Sequence, residues 1–563
     1  MGHDVVIRGG LVVDGLGAEP VAADVAIDGE RVVEIGSVGG KATREIDADG
    51  ALVTPGFVDI HTHLDAQLAW DPQGTSSCWH GVTSVVLGNC GVTFAPCKPE
   101  DRQYLANMME SVEDIPAASI MQGLDWSWET YGEYLGALDR MPKGLNVGGM
   151  VGHCAVRYHA MGERSLGEEP ATDDDIEAMR GLVDEAIAAG ALGFSTSRTA
   201  LHRVPDGRAV PGTYADEREL FGIADVLRAH GKGVFEAAPK LGERDGPGLP
   251  KTVAEVEMLC EIALTTGRPL TFGYTQTKNK PDLHTIVLET VEPYRQRGAT
   301  IRPQTTARGI GILFSIVNLT PWGHRAPKWR ELRDLDVAGR LAALRDPTRR
   351  SDLIADAEAN PSPLALEDLF VLPAGDAQYV LGPDDSLAAH AQRRGVSPAE
   401  AFIDLTLERD GALIVNWPFL NDDIGAVEMM LGHPATVLGL ADAGAHVGQI
   451  MDSSQATFFL THWVRDKKFC SIGDAIRRLT SDTAELFGVA DRGVLRPGAY
   501  ADVNVIDLDN MRLPQPEYIY DFPGGAGRYV QRASGYVATL VNGQPFMENG
   551  EPTGTYAGVV LRS

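Results

Sequence analysis

Two short apolar runs, each ending in residues that can bind a metal, constrain this chain more than any other feature. Phe57-Val58-Asp59-Ile60 runs into His61-Thr62-His63, and Thr83-Ser84-Val85-Val86-Leu87-Gly88 runs into Asn89-Cys90. Residues i and i+2 of a strand point to one face. As a strand, the first run delivers His61 and His63 side by side, about 7 Å apart along the chain. A thiolate at the end of the neighbouring strand makes a third ligand. A bare H-x-H pair is more often two satisfied histidines than a metal site. Pro55-Gly56 just before the first strand and Cys90 at the end of the next shift the balance to the metal.

The same rhythm continues along the chain. Short apolar runs alternate with helical patterns, which argues for parallel βα units. Strands are expected at residues 145–151, 191–195, 233–237, 270–274, 300–303 and 437–440, and helices at 173–189, 252–265 and 283–294. The 173–189 segment has apolar residues at three- and four-residue spacing and acidic residues in its first turn. Two stretches exceed the rhythm, near 98–140 and 310–400, and read as insertions over one end of the βα array. Trp126, Trp128 and Pro321-Trp322-Gly323-His324 lie in them. These aromatics either line a substrate pocket or pack enlarged loops.

Residues 1–53 read instead as short strands joined by tight turns. That segment is too small to bury a good core alone. Residues 493–507 and 536–545 carry matching strand patterns, with a hairpin signal at Val541-Asn542-Gly543. Both chain ends are therefore expected to form one small β-sandwich.

Composition narrows the function. The 563 residues carry a net charge of −29, which disfavours nucleic acid or an anionic membrane as partner. There is no zinc-finger spacing, Rossmann G-x-G-x-x-G or P-loop. No run of 18 apolar residues marks a membrane span. The opening residues, MGHDVVIRGGLVVDG, lack the basic and apolar regions of a secretory signal. The six cysteines are scattered, with no C-x-x-C, as expected of a reducing cytoplasm. Oligomeric state is not legible; a symmetric homo-oligomer is the default expectation.

PGFVDIHTHLDAQLAWDP followed by GVTSVVLGNCGVTFAP resembles the N-acyl-D-amino-acid deacylase (D-aminoacylase) branch of the amidohydrolase superfamily. The likeness extends to VGHC with Met161-Gly162, to AGALGFST, to LGLADAGAH and to the tail from Thr553-Gly554 to Leu561-Arg562. It implies a TIM-like (β/α)8 barrel, residues 55–489, closed by the β-sandwich of residues 1–54 and 490–563. It also implies a metal-dependent hydrolase acting on a small-molecule amide. Barrel active sites lie at the C-terminal ends of the strands, where His61, His63, Cys90, His153 and Asp442 all fall.

On this reading the ion is Zn²⁺, since imidazole and thiolate suit zinc rather than magnesium or calcium. His61, His63, Cys90 and Asp442 are its expected ligands. Asp442 doubles as the general base and acid that moves the water proton to the leaving nitrogen. Two departures from the family bear on the metal count. The family's strands five and six each end in a histidine. Here strand five offers Glu236 and strand six Gln276, so one zinc per chain is expected rather than two. The run His446 to Asp452 also lacks the basic residue expected to grip a substrate carboxylate. Lys278, which matches a family lysine, and Arg157 and His153 are the candidate substrate contacts. Two other readings stay open: hydrolysis of a different amide, cyclic imide or ester on the same fold, and a metal-free barrel that binds a small molecule.

Overall fold

The computed structural model describes residues 2–563. Eight parallel strands follow one another in sheet order: Phe57–Asp59, Val82–Leu87, Asn146–Gly152, Gly193–Ser197, Val234–Ala238, Leu270–Gly273, Ile301–Thr305 and Val437–Leu438. They are numbered barrel strands one to eight below. Each lies parallel to the next, as where Val85 faces Val147 and Glu236 faces Thr271. The ring is joined by a parallel bridge between Thr62 and Ala443, with the His63 amide donating to the Ala443 carbonyl at 2.8 Å. Strands covered on both faces need apolar side chains on both, and all six residues of strand two are buried. Strand eight is short because Leu440 and Asp442 turn into the left-handed region, with φ of 55° and 46°.

The helices between the strands form where periodicity and caps agree. Asp173–Ala189 begins with a capping box between Thr172 and Asp175 and ends at Gly190, φ 110°. Its three leading aspartates face the positive end of the helix dipole. Ile176, Met179, Val183, Ala186 and Ile187 supply the buried stripe, each of the larger ones stabilising by roughly 1.5–3 kcal/mol. Pro250–Thr266 and Leu283–Gln296 are further helices of the array. Strands one and two depart from the pattern. Only 3-10 turns, Gln67–Ala69 and Ser77–His80, join them; Pro72 and a left-handed Gly74 interrupt any longer helix.

The insertions are packed bodies, not open aromatic loops. The first holds the helices Arg102–Glu113, Ala117–Gly123 and Tyr131–Arg140. Trp126 and Trp128 are buried within it, and Trp128 Nε1 donates to the Phe94 carbonyl at 2.8 Å. The second carries an antiparallel sheet of Ile310–Phe314, Val415–Leu420 and Phe370–Val371. Trp322, Trp329 and Phe402 build a core of its own. The tryptophans therefore pack their own insertions.

A nine-stranded sheet joins the two chain ends. Leu52–Pro55 lies between His3–Val12, parallel to it, and Val503–Ile506, antiparallel. Tyr536–Val541 and Gln544–Glu548 form a hairpin whose turn residues, Asn542 and Gly543, have φ of 49° and 76°. Two positive φ values suit the turn that matches strand twist. This sheet is clasped to the barrel. Buried Asp502 pairs with Arg492, accepts from Asn146 Nδ2 of strand three at 3.0 Å, and accepts from the Asn542 amide at 2.8 Å. Further along strand three, the Val147 amide donates to the Val559 carbonyl at 2.9 Å.

Candidate metal centre

Three side chains of metal-binding type meet at the C-terminal mouth of the barrel. His61 and His63 leave strand one on the same face, while Thr62 between them turns away to donate to the Val86 carbonyl at 2.8 Å. Their ring centroids lie 5.6 Å apart. Cys90 comes from a tight turn, Gly88 to Gly91, in which Gly88, Cys90 and Gly91 all take positive φ. Gly91 has no room for a side chain, because a Cβ there would stand 2.5 Å from the Ser197 amide nitrogen. Ligand atoms of His61, His63 and Cys90 all fall within 4.8 Å of one another. Cys90 Sγ is 3.3 Å from His61 Nε2.

Asp442 completes the group. Its Oδ1 lies 3.1 Å from His61 Nε2 and 3.9 Å from His63 Nε2. The two histidines are 1% exposed and the aspartate 18%, so the cluster opens to solvent on the Asp442 side. His61 presents its nitrogens in the order a metal ligand needs. Nδ1 lies 3.0 Å from Gln304 Oε1 on strand seven, which leaves Nε2 turned to Cys90 and Asp442. A ligating histidine almost always has such a partner on its other nitrogen.

The electrostatics call for a cation. Burial holds the His61 imidazole down at about 4. Burial, aided by the neighbouring imidazoles, holds His63 well below its ordinary value. Both rings are thus neutral at pH 7, as ligands must be. Burial raises the Asp442 and Glu113 carboxyls well above the usual range, and nearby carboxylates add to it. Glu236 is pushed up to about 8 by burial, against a hydrogen bond from the Cys90 amide. Burial and Glu236 raise the Cys90 thiol. Among the described residues no lysine or arginine nitrogen comes within 4.0 Å of Asp442, Glu113 or Glu236. Asp442 Oδ1, Glu236 Oε1 and Glu113 Oε1 are buried without a hydrogen-bond partner. Uncompensated buried carboxyls are costly, and a divalent cation among them would offset that cost. Imidazole, thiolate and carboxylate together are a zinc donor set.

Strands five and six contribute differently. Glu236 Oε2 accepts from the Cys90 amide at 3.0 Å, so strand five holds the cysteine turn. Gln276 faces the second insertion, where its Oε1 accepts from the Asp423 amide at 3.1 Å.

Of the three residues expected to touch substrate, His153 and Arg157 meet on one Glu219 oxygen and Lys278 lies apart from them. Both ring nitrogens of His153 are engaged, by Thr196 Oγ1 and Glu219 Oε1, each at 2.8 Å. Fully buried Arg157 donates to Glu219 Oε1 at 2.9 Å and to the Ser165 and Glu169 carbonyls. Neither residue has a free polar atom to offer a ligand. Lys278 is 65% exposed and pairs with Asp368 of the second insertion at 2.8 Å.

Two residues near the cluster were not singled out from sequence. Gln304 lies one residue before the end of strand seven, where barrel sites are found, but nothing in its own stretch pairs it with His61. Glu113 is the last residue of Arg102–Glu113, and nothing local marks it. Both neighbour the strand-one histidines across long sequence separations.

The chain resembles known proteins in sequence and in structure. A family model described as "Amidohydrolase family" matches residues 44–547. An uncharacterized protein of Mycobacterium tuberculosis is 31% identical over 600 residues, covering 98% of this chain and 93% of its own. A D-aminoacylase of Alcaligenes xylosoxydans xylosoxydans is 26% identical over 574 residues, covering 99% and 97%. The solved structure of a D-aminoacylase, studied for its binuclear metal centre, superposes with a TM-score of 0.68 at 25% identity over the whole of both chains.

Proposed function

This chain belongs to the amidohydrolase family, and from that membership we propose that it is a metal-dependent hydrolase that cleaves the amide C–N bond of an N-acyl-D-amino acid or a related N-acyl compound. The observation that carries the reading is the convergence of His61, His63 and Cys90 within 4.8 Å, with Asp442 3.1 Å from His61 Nε2. The relatives that act as D-aminoacylase and N-acyl-D-glutamate deacylase support the substrate class.

The metal is zinc, held by His61, His63, Cys90 and Asp442. One ion per chain is supported by strands five and six, which supply no imidazole and use Glu236 and Gln276 for other contacts. When bound, zinc lowers the pKa of its water from about 15.7 to about 7 and so supplies hydroxide near neutral pH. Asp442 would take the proton of the attacking water at the carboxylate oxygen that does not face the histidines and return it to the leaving nitrogen, which departs as the amine. Gln304 fixes the His61 ring through Nδ1. At the rim Lys278 is the candidate that keeps access to a substrate carboxylate, in competition with Asp368.

Residues 1–54 and 490–563 are assigned to a small β-sandwich domain and 55–489 to the barrel. Free cysteines at all six positions support a reducing, cytoplasmic setting. Among the described residues no helix is long and apolar enough to cross a membrane.

A panel of N-acyl-D- and N-acyl-L-amino acids tests the reading, with neutral amides and cyclic imides alongside. Zinc-loaded protein is expected to hydrolyse the N-acyl-D compounds, and Asp442→Ala to lose about 100- to 10,000-fold in kcat/KM. Turnover that survives Asp442→Ala would contradict it. Metal-loaded protein that turns over only cyclic imides would move the substrate class within the same chemistry.

A further inference from the structure

Glu113 lies within reach of the centre and has no role in the chemistry described above. It ends the helix Arg102–Glu113 of the first insertion. Its side chain is 2% exposed, in a place with no lysine or arginine to balance it. Its Oε1 is 3.6 Å from His63 Nδ1, and its Oε2 is 3.6 Å from His446 Nε2. Those gaps exceed a hydrogen bond. Yet His63 Nδ1 and Glu113 Oε1 are both buried with no other partner. Two such orphans cost about 1–3 kcal/mol each, and a closure of a few tenths of an ångström satisfies both.

The surrounding backbone is built to hold Glu113 there. Its carbonyl accepts from the His446 amide. The next residue, Asp114, is left-handed with φ 55°, and its Oδ2 accepts from Gln449 Nε2 at 2.9 Å. The insertion is therefore pinned to the loop after strand eight on both sides of the carboxyl. Strand seven already serves the other histidine in the same way, with Gln304 Oε1 on His61 Nδ1.

We propose that Glu113 is a positioning residue for the metal centre: it accepts the Nδ1 proton of His63, so that Nε2 is the free lone pair, and ties that ring to His446 at the mouth. The inference rests on the metal-dependent reading above. It gives the first insertion a function, which is to carry a carboxylate to a ligand of strand one.

Zinc affinity, measured by competition with a chromogenic chelator, tests it in Glu113→Leu and Glu113→Gln. The leucine keeps the volume and removes the acceptor; the glutamine keeps an acceptor. Glu113→Leu is expected to bind zinc about 10- to 100-fold more weakly while the metal-free protein keeps the parent's circular dichroism, since the leucine fills the same space. Glu113→Gln is expected to fall between. The cobalt-loaded leucine variant is expected to show shifted visible bands, which a purely structural role would leave in place. Leucine-variant affinity equal to the parent's overturns the proposal while leaving the metal reading intact. A parent that binds no zinc overturns both.

Discussion

At the residue scale, the site depends on a few residues with little freedom to change. Gly91 is one. Its φ of 74° leaves no relaxed conformation for alanine, and a Cβ at this position would meet the Ser197 amide nitrogen at 2.5 Å. Gly91→Ala is expected to displace the Cys90 turn, to lower stability by about 1–3 kcal/mol, and to lower zinc occupancy; chemical denaturation and metal analysis read the two effects. That His61, His63 and Cys90 come together was legible in the sequence, because strand alternation puts the histidines on one face and Cys90 ends the next apolar run. Gln304 and Glu113 were harder to find. Each stands beside a ligand only because the chain returns from a distant strand or from an insertion. His153 and Arg157 sit at a strand end and just beyond it, as a site residue would. What removes them from view is Glu219, a partner on another helix that no local pattern announces.

Elements show where packing and chemistry separate. The buried trio His153, Arg157 and Glu219 ties the helix His153–Met161 to the helix Glu217–His230. Burial raises the Glu219 carboxyl, but His153 and Arg157 outweigh it and hold the group below its ordinary value. Burial holds His153 below its own. Both signs agree. The Glu219 contribution is complete above its unfolded value and is lost as pH falls through the folded one. The His153 contribution begins to fail once pH drops below about 6.5, the unfolded value. Acid is therefore expected to lower the melting temperature below about pH 6; a melting temperature that holds from about pH 7 down to about pH 4 would remove the trio from the account. The clasp between the terminal sheet and strand three is a second structural element. Asp502→Ala strands buried Arg492 and is expected to cost about 3–5 kcal/mol, read by denaturant unfolding with the barrel site left chemically complete. The helix at 173–189 was readable from caps and period. The independent core of the second insertion was not, since its tryptophans satisfy a pocket lining and a packed core equally well until their neighbours are known.

On the scale of the whole molecule, the fold brings one chemistry to one end of the barrel. The ends of strands one and two bring two histidines and a cysteine together, the turn after strand eight adds a carboxylate, strand seven contacts one ring, and strand five holds the cysteine turn. The first insertion bonds the loop after strand eight and the second pairs with Lys278 beyond strand six, and the sheet of chain ends is fastened to the barrel through strand three. A ligand that binds only the folded state stabilises it by mass action, about 2.7 kcal/mol at a hundred times Kd. Removing zinc with a chelator is accordingly expected to lower the melting temperature, and added zinc to restore it.

The most direct test of the central claim is the metal content of the purified protein by elemental mass spectrometry, in the parent and in His63→Ala. About one zinc per chain in the parent is expected from the single cluster of imidazole, thiolate and carboxylate donors, with a clear loss in the variant. No bound metal in the parent, even after incubation with zinc, would contradict the account and turn attention to binding or catalysis without an ion.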